Sequence, residues 1–190
     1  MEWSEQFSIQ AAIKLRPCGR EDLPRLEWFG MFAMHRQIIC QTFAAQQRRE
    51  AMMIIADLNG WPVGQIWIDL ASKSPEAAGV LWAFRVFPIL QRLRIGTRLI
   101  LSAERFLAQR GYSFAEIAAE KSDSIARRLY ERLGYQLTGA ERVEYSYTQP
   151  DGTIVHVPLD EWLLRKELHP VRRRRLRPRA SSIPNLQEVS

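Results

Sequence analysis

Apolar and polar positions along this chain of 190 residues alternate between helical and strand spacing. Residues 12–15 predict a short first strand, closed by a turn over Pro17, Cys18, Gly19 and Arg20. Glu21 and Asp22 then place acids in or near a first helical turn. Leu26, Phe29, Phe32, Ala33, Ile38 and Ile39 follow, predicting one or two amphipathic helices up to about residue 49. Two apolar runs, 52–56 and 63–68, flank Asn59-Gly60. Both residues of that pair tolerate positive φ, so the segment predicts a hairpin. A polar loop over 70–78 leads to a strand over 79–87.

From residue 96 to about 110 the period becomes helical again. Leu99, Ile100, Ala103, Phe106 and Leu107 share one face, and Gly111 is placed to end the helix. Residues 114–119 predict a strand. Ser122 or Asp123 can cap the next helix, whose apolar face is Ile125, Ala126, Leu129, Tyr130 and Leu133, with Gly134 as its stop. Two long strands, 135–147 and 154–168, close the pattern. The element order β-α-α-β-β-β-α-β-α-β-β predicts an α/β domain: a mixed central sheet flanked by helices. There is no internal repeat.

The junction over residues 86–99 carries the strongest functional signal. An apolar strand ends at Pro88, a short turn follows, and a helix begins near Gly96. Such a junction aims unpaired backbone N–H groups at one point, and the helix dipole adds positive potential there. Phosphate or pyrophosphate suits that point, although an ordinary strand-to-helix turn would look the same locally. The spacing is neither that of a P-loop nor that of a dinucleotide fingerprint.

Gln91-Arg92-Leu93-Arg94-Ile95-Gly96 resembles the Gln/Arg-x-x-Gly-x-Gly/Ala signature of the GCN5-related N-acetyltransferases (GNAT), with Arg94 in place of the usual first glycine. The flanking residues Phe84, Arg85, Val86 and Pro88 before it, and Leu99 and Ile100 after it, also look like the family pattern. Downstream, Asp123-x-x-Ala126-x-x-Leu129-Tyr130 to Gly134-Tyr135 resembles the family's Asn-x-x-Ala-x-x-Leu-Tyr-x-x-x-Gly-Phe segment, with Asp123 for asparagine. Two partial motifs in the right order are more specific than either alone. The resemblance covers roughly residues 13–168.

The resemblance implies the GNAT fold and transfer of an acetyl or other acyl group from acetyl-CoA to a primary amine in a ternary complex. It assigns the pyrophosphate to the loop of Arg92, Leu93, Arg94, Ile95, Gly96 and Thr97. Phe84, Arg85 and Val86 would pair with the pantetheine arm like an added strand, and a backbone N–H such as that of Val86 would meet the developing oxyanion. Tyr130 would be the general acid; phenol and alkyl thiol have reference pKa values of about 10 and about 8.5. Against this stands a core aromatic on an amphipathic helix. Asp123 would contact the coenzyme arm, but it can accept hydrogen bonds and not donate them, and helix capping explains it equally well. Related N-terminal acetylases carry a glutamate where this chain has Ala118. Glu116 and Glu120 share its strand parity, and Glu120, nearer the coenzyme end, is the candidate base. Trp67 and Trp82 could line an acceptor pocket.

Composition adds bounds. Hydrophobic residues make up 46% and charged residues 25%, ordinary for a globular domain. No apolar run approaches the roughly 20 residues of a membrane span, and the acidic, polar start argues against a secretory signal. The expectation is a cytoplasmic protein with no membrane partner, with a homodimer compatible. Cys18 and Cys40 lack metal-like spacing and read as reduced thiols; no metal is expected. His35, His156 and His169 have no partner spacing that suggests a site. Of the net charge of +6, residues 169–190 carry +5 through Arg172, Arg173, Arg174, Arg175, Arg177 and Arg179 against Glu188. The division is therefore a catalytic domain over 1–168 and a disordered basic tail over 169–190, open to weak polyanion contact. Two other classes of function remain: a catalytically inactive GNAT-fold binding module, in which Arg94 and Asp123 record lost coenzyme binding, and an RNA- or ribosome-associated protein acting through the tail. The acceptor, a small-molecule or peptide amine, is not legible.

Overall fold

The computed structural model describes residues 4–7, 10–148 and 152–169. The basic tail expected over 169–190 lies, apart from His169, outside them.

Seven strands form one sheet, ordered β1-β2-β3-β4-β5-β7-β6. They are β1 Ile13–Pro17, β2 Ala51–Leu58, β3 Trp61–Asp69, β4 Ala78–Val86, β5 Phe114–Glu120, β6 Gln136–Thr148 and β7 Ile154–Glu167. The helices are α1 Arg36–Gln47, α2 Ile95–Gln109 and α3 Ser124–Arg132. Only β4 and β5 run parallel; every other neighbouring pair is antiparallel. The parallel pair is joined through α2, the crossover that parallel neighbours require. The mixed sheet and its flanking helices are those expected from the pattern.

Asn59 (φ 52°) and Gly60 (φ 83°) make the β2–β3 turn, with Asp57 Oδ1 accepting from the Gly60 N–H at 2.6 Å. Of the one or two helices expected before β2, two form: Arg20–Glu27 is a 3-10 stretch and α1 follows, the two parted where Trp28, Phe29 and Gly30 all take positive φ. Pro24 removes a backbone donor inside that stretch. The chain then turns back, with Trp28 fully buried and its Nε1 donating to Pro62 O at 2.8 Å.

Each face of the sheet has its own core. On one, α2 and α3 bury Leu99, Ile100, Ala103, Leu107 and Tyr130 against Ile54, Ile66, Ile68, Leu81, Ile117 and Leu164. On the other, the 3-10 stretch and α1 bury Leu26, Ile39 and Phe43 against Met53, Ile55 and Trp67. An ion cluster ties β1 down: Arg16 reaches Asp22 at 2.6 Å and Asp57 at 2.8 Å, and Asp22 also accepts from the Gly19 N–H. Among the described residues no helix is long and apolar enough to cross a membrane.

Candidate active site

β4 and β5 pair from Ala78↔Phe114 to Leu81↔Ile117 and then part. A bulge opens β4 at this point: its register with β3 shifts between Gln65 and Trp67, and Ala83 lies at φ 47°. A bulge bends its strand, here while β4 stays paired with β3 and leaves β5. Residues 82–86 of β4 and 118–120 of β5 therefore border an opening in the middle of the sheet. The Phe87 N–H turns to Val63 O on β3 at 2.8 Å, so strand alternation turns the Val86 N–H the other way, into the opening.

The junction to α2 lies at the mouth of this opening. The N–H groups of Arg92, Leu93, Arg94, Ile95, Gly96 and Thr97 donate to no acceptor among the described residues. Arg92 (φ 66°) and Arg94 (φ 63°) are left-handed, and Arg94 is the N-cap of α2. This backbone geometry is why glycine is usual at position 94; a Cβ there costs about 1–2 kcal/mol. The side chains of Arg92, Leu93 and Arg94 are exposed. Gly96 has a packing reason: a Cβ there would meet Phe84 Cζ at 2.8 Å. Its absence seats the α2 N-terminus against β4. A row of free donors backed by the α2 dipole, beside a gap between strands, fits a pyrophosphate with an amide-bearing arm.

Phe84 joins the two motifs. Its ring lies 6.2 Å from that of Tyr130, which lies 6.1 Å from Tyr135. Tyr130 is 4% exposed, and its hydroxyl makes no hydrogen bond among the described residues. Burial, with the charges of Asp123 and Glu161 adding to it, holds the phenol above its usual pKa range, so it carries its proton at neutral pH. Asp123 is the cap of α3: its Oδ1 accepts from the Ile125 and Ala126 N–H groups at 3.1 and 2.9 Å.

Glu120 is exposed at the end of β5, its Oε2 accepting from Ser122 Oγ at 3.0 Å. Strand register adds what the sequence did not show. Glu120 pairs with Glu161 on β7, and Glu161 pairs with Glu141 on β6. The Glu161 carboxyl is pushed above its ordinary range, first by burial, then by Glu141 and Glu120. These acids share the face opposite α2 and α3, because Ala119, Trp162 and Leu164 face the core beneath those helices.

Arg85 also faces away from α2. Its guanidinium lies 3.9 Å from the ring centroid of Phe32, in the segment before α1. Beyond Phe32 come His35 at 5.8 Å, then Tyr145 and Tyr147, each 6.3 Å from His35. The tyrosines lie on the part of the β6–β7 ribbon that runs past β5. Trp67 and Trp82 pair across β3 and β4, edge-on at 4.8 Å, but Trp67 is fully enclosed in the core under α1 and lines no pocket. Among the described residues no group of His, Cys, Asp and Glu is gathered as metal ligands would be.

Comparison with known proteins identifies the family and the fold. Residues 18–135 match the model of the acetyltransferase (GNAT) family. The chain belongs to the GNAT acetyltransferases, and its mixed seven-stranded sheet is the fold of that family. Comparison with curated protein sequences gives no significant match. The ribosomal-protein-S18-alanine N-acetyltransferase from Escherichia coli superposes with a TM-score of 0.60 at 20% identity, over 83% of this chain and 94% of that one. PaiA N-acetyltransferase from Thermoplasma acidophilum, solved with coenzyme A, gives 0.62 at 14% identity, over 82% and 99%. An N-acetyltransferase from Staphylococcus aureus Mu50 gives 0.65 at 13% identity, over 83% and 99%.

Proposed function

We propose that this protein is an acetyl-CoA-dependent N-acetyltransferase acting on a primary amine by direct transfer. The observation that carries the reading is the free N–H row from Arg92 to Thr97, set beside the gap between β4 and β5. Those donors would hold the pyrophosphate, with the exposed Arg92 and Arg94 guanidinium groups within reach of its oxygens. The edges of Phe84, Arg85 and Val86 would pair with the pantetheine arm. Asp123 stays with α3 as its cap and supports the site through Tyr130.

Acetyl-CoA supplies an acyl group activated as a thioester. The protein's own part is positioning and proton movement. The Val86 N–H points into the opening, where a carbonyl oxygen gains charge as the amine attacks. Tyr130, kept protonated by its burial, would give its hydroxyl proton to the departing sulfur. The pair Glu120 and Glu161 lies on the opposite face and would take the proton from the amine nitrogen. Burial, with Glu141 and Glu120 adding to it, raises the Glu161 carboxyl above its ordinary range, which suits a group that accepts a proton. No cysteine stands in either motif, so nothing supports a covalent acyl-enzyme.

A thiol-release assay with acetyl-CoA against a panel of primary amines tests this reading. Release that depends on an amine supports it. Tight coenzyme binding with no release for any amine would favour the inactive binding module.

A further inference from the structure

Among the described residues Arg85 is a half-buried arginine on the face opposite the coenzyme loop that pairs with no acid. Other partly buried arginines of the described residues are paired: Arg16 with Asp22 and Asp57, and Arg165 with Glu116. Arg85 makes no ion pair and no side-chain hydrogen bond among the described residues. Its guanidinium lies 3.9 Å from the ring centroid of Phe32, and its N–H donors, the fork that grips a carboxylate in two-point fashion, have no acceptor among the described residues.

Burial lowers the Arg85 pKa to about 10, with Tyr145 opposing, so the group remains a cation at neutral pH. His35 is held below its usual range by burial and by Arg85, and stays neutral. The surroundings thus supply aromatic walls and one positive charge. A polyamine or other polycation would be repelled there. An anion would be held.

The acids lie elsewhere on the same face. Glu120, Glu161 and Glu141 form a row across β5, β7 and β6. Arg85 is four residues beyond Leu81, where β4 leaves β5. The sheet face beside the opening therefore carries a cation on the β4 side and carboxylates on the β5–β7 side, with Phe32 and Tyr145 flanking the cation.

We propose that the acceptor is an amine that also bears a carboxylate, an amino acid-like zwitterion, with Arg85 binding the carboxylate while the amine faces Glu120 and Glu161. This rests on the N-acetyltransferase reading above. Arg85 serves twice: its backbone borders the coenzyme gap, and its side chain selects the acceptor. The apolar body of the acceptor lies against Phe32, Tyr145 and Tyr147.

The test uses the full-length protein and acetyl-CoA. The free amino acids are screened, and for the best of them kcat/KM is compared with its amide and its decarboxylated amine. The acid should lead both analogues by about 10–100-fold, because a site built for a polar group is left unpaired by an analogue lacking it. Arg85→Met should collapse that ratio towards one; Arg85→Lys should keep part of it. Transfer that is equal for acid, amide and amine, or a ratio unchanged in Arg85→Met, overturns the inference and leaves the enzyme reading intact. Peptides form a further arm: transfer confined to peptide N-termini without an acidic side chain also overturns it. Should no amine be acetylated, the enzyme reading fails, and calorimetry with the N-acetylated amino acid decides alone. Binding of the acid but not its amide, lost in a folded Arg85→Met protein, supports the inference; no binding of the acid overturns it.

Discussion

The ring of Phe84 on β4 lies 6.2 Å from the ring of Tyr130 on α3, while the same ring packs over Gly96 at the start of α2. Two motifs far apart in sequence thus share one aromatic contact at the edge of the opening between β4 and β5. That contact makes Tyr130 the first residue to test.

Tyr130→Phe should lower kcat by about 10²–10⁴-fold, the usual worth of a general acid. Coenzyme affinity and melting temperature should change little, since the ring stays and its hydroxyl bonds to nothing among the described residues. Steady-state kinetics and calorimetry on one preparation separate the two effects. Wild-type kcat, with chemistry shown to limit the rate, removes Tyr130 from the mechanism.

Arg94→Gly separates strain from binding. Its φ of 63° suits glycine, so the variant should gain up to about 1 kcal/mol of stability, less the cost of glycine's freedom when unfolded. If the guanidinium meets a phosphate oxygen, coenzyme affinity should fall by about 1.5–3 kcal/mol. A rise in both melting temperature and affinity would show the arginine to be a steric compromise.

How far the sequence reached is clearest at these two residues. The motifs located the loop and Tyr130 because their signals are local: a proline-ended strand, a glycine at a helix start, an amphipathic period. The hairpin at Asn59-Gly60 was equally local. What stayed hidden depends on register. Nothing in sequence order places Glu161 beside Glu120, because β7 inserts between β5 and β6. Nothing announces that Tyr145, over a hundred positions on, meets His35 near Arg85. The helical apolar spacing before α1 shows a helix but not its type or its end: Pro24 lies within a 3-10 helix, and the left-handed run at Trp28, Phe29 and Gly30 turns the chain back. Trp67, expected to line a pocket, lies in the core, since its side of β3 is covered by α1 and the 3-10 stretch.

Asp123 should behave as a cap. Asp123→Ala should cost about 1 kcal/mol, and Asp123→Asn much less, because the amide oxygen can still accept from Ile125 and Ala126. Chemical denaturation checks this. Equal losses for both variants would show that the charge, not the cap, matters.

Asp22 should set an acid limit on stability. Burial alone would raise its pKa, but hydrogen bonds from Arg16 and the Gly19 N–H more than offset this and hold it below the ordinary range. A depressed carboxyl stabilises the fold above its unfolded pKa of about 3.9, and that contribution is lost as pH falls through the folded value. Asp22→Asn should therefore lower stability at pH 7 while flattening its dependence on pH below about 4. Parallel acid-denaturation slopes in wild type and variant would contradict this.

The account rests on the loop from Arg92 to Thr97 as the seat of acetyl-CoA, and isothermal titration with acetyl-CoA tests that most directly. One-site binding is expected, with a dissociation constant between about 1 μM and 1 mM, as for ordinary substrates, and a melting temperature that rises with coenzyme concentration. No heat and no thermal shift at millimolar acetyl-CoA, from a protein shown to be folded, would contradict it.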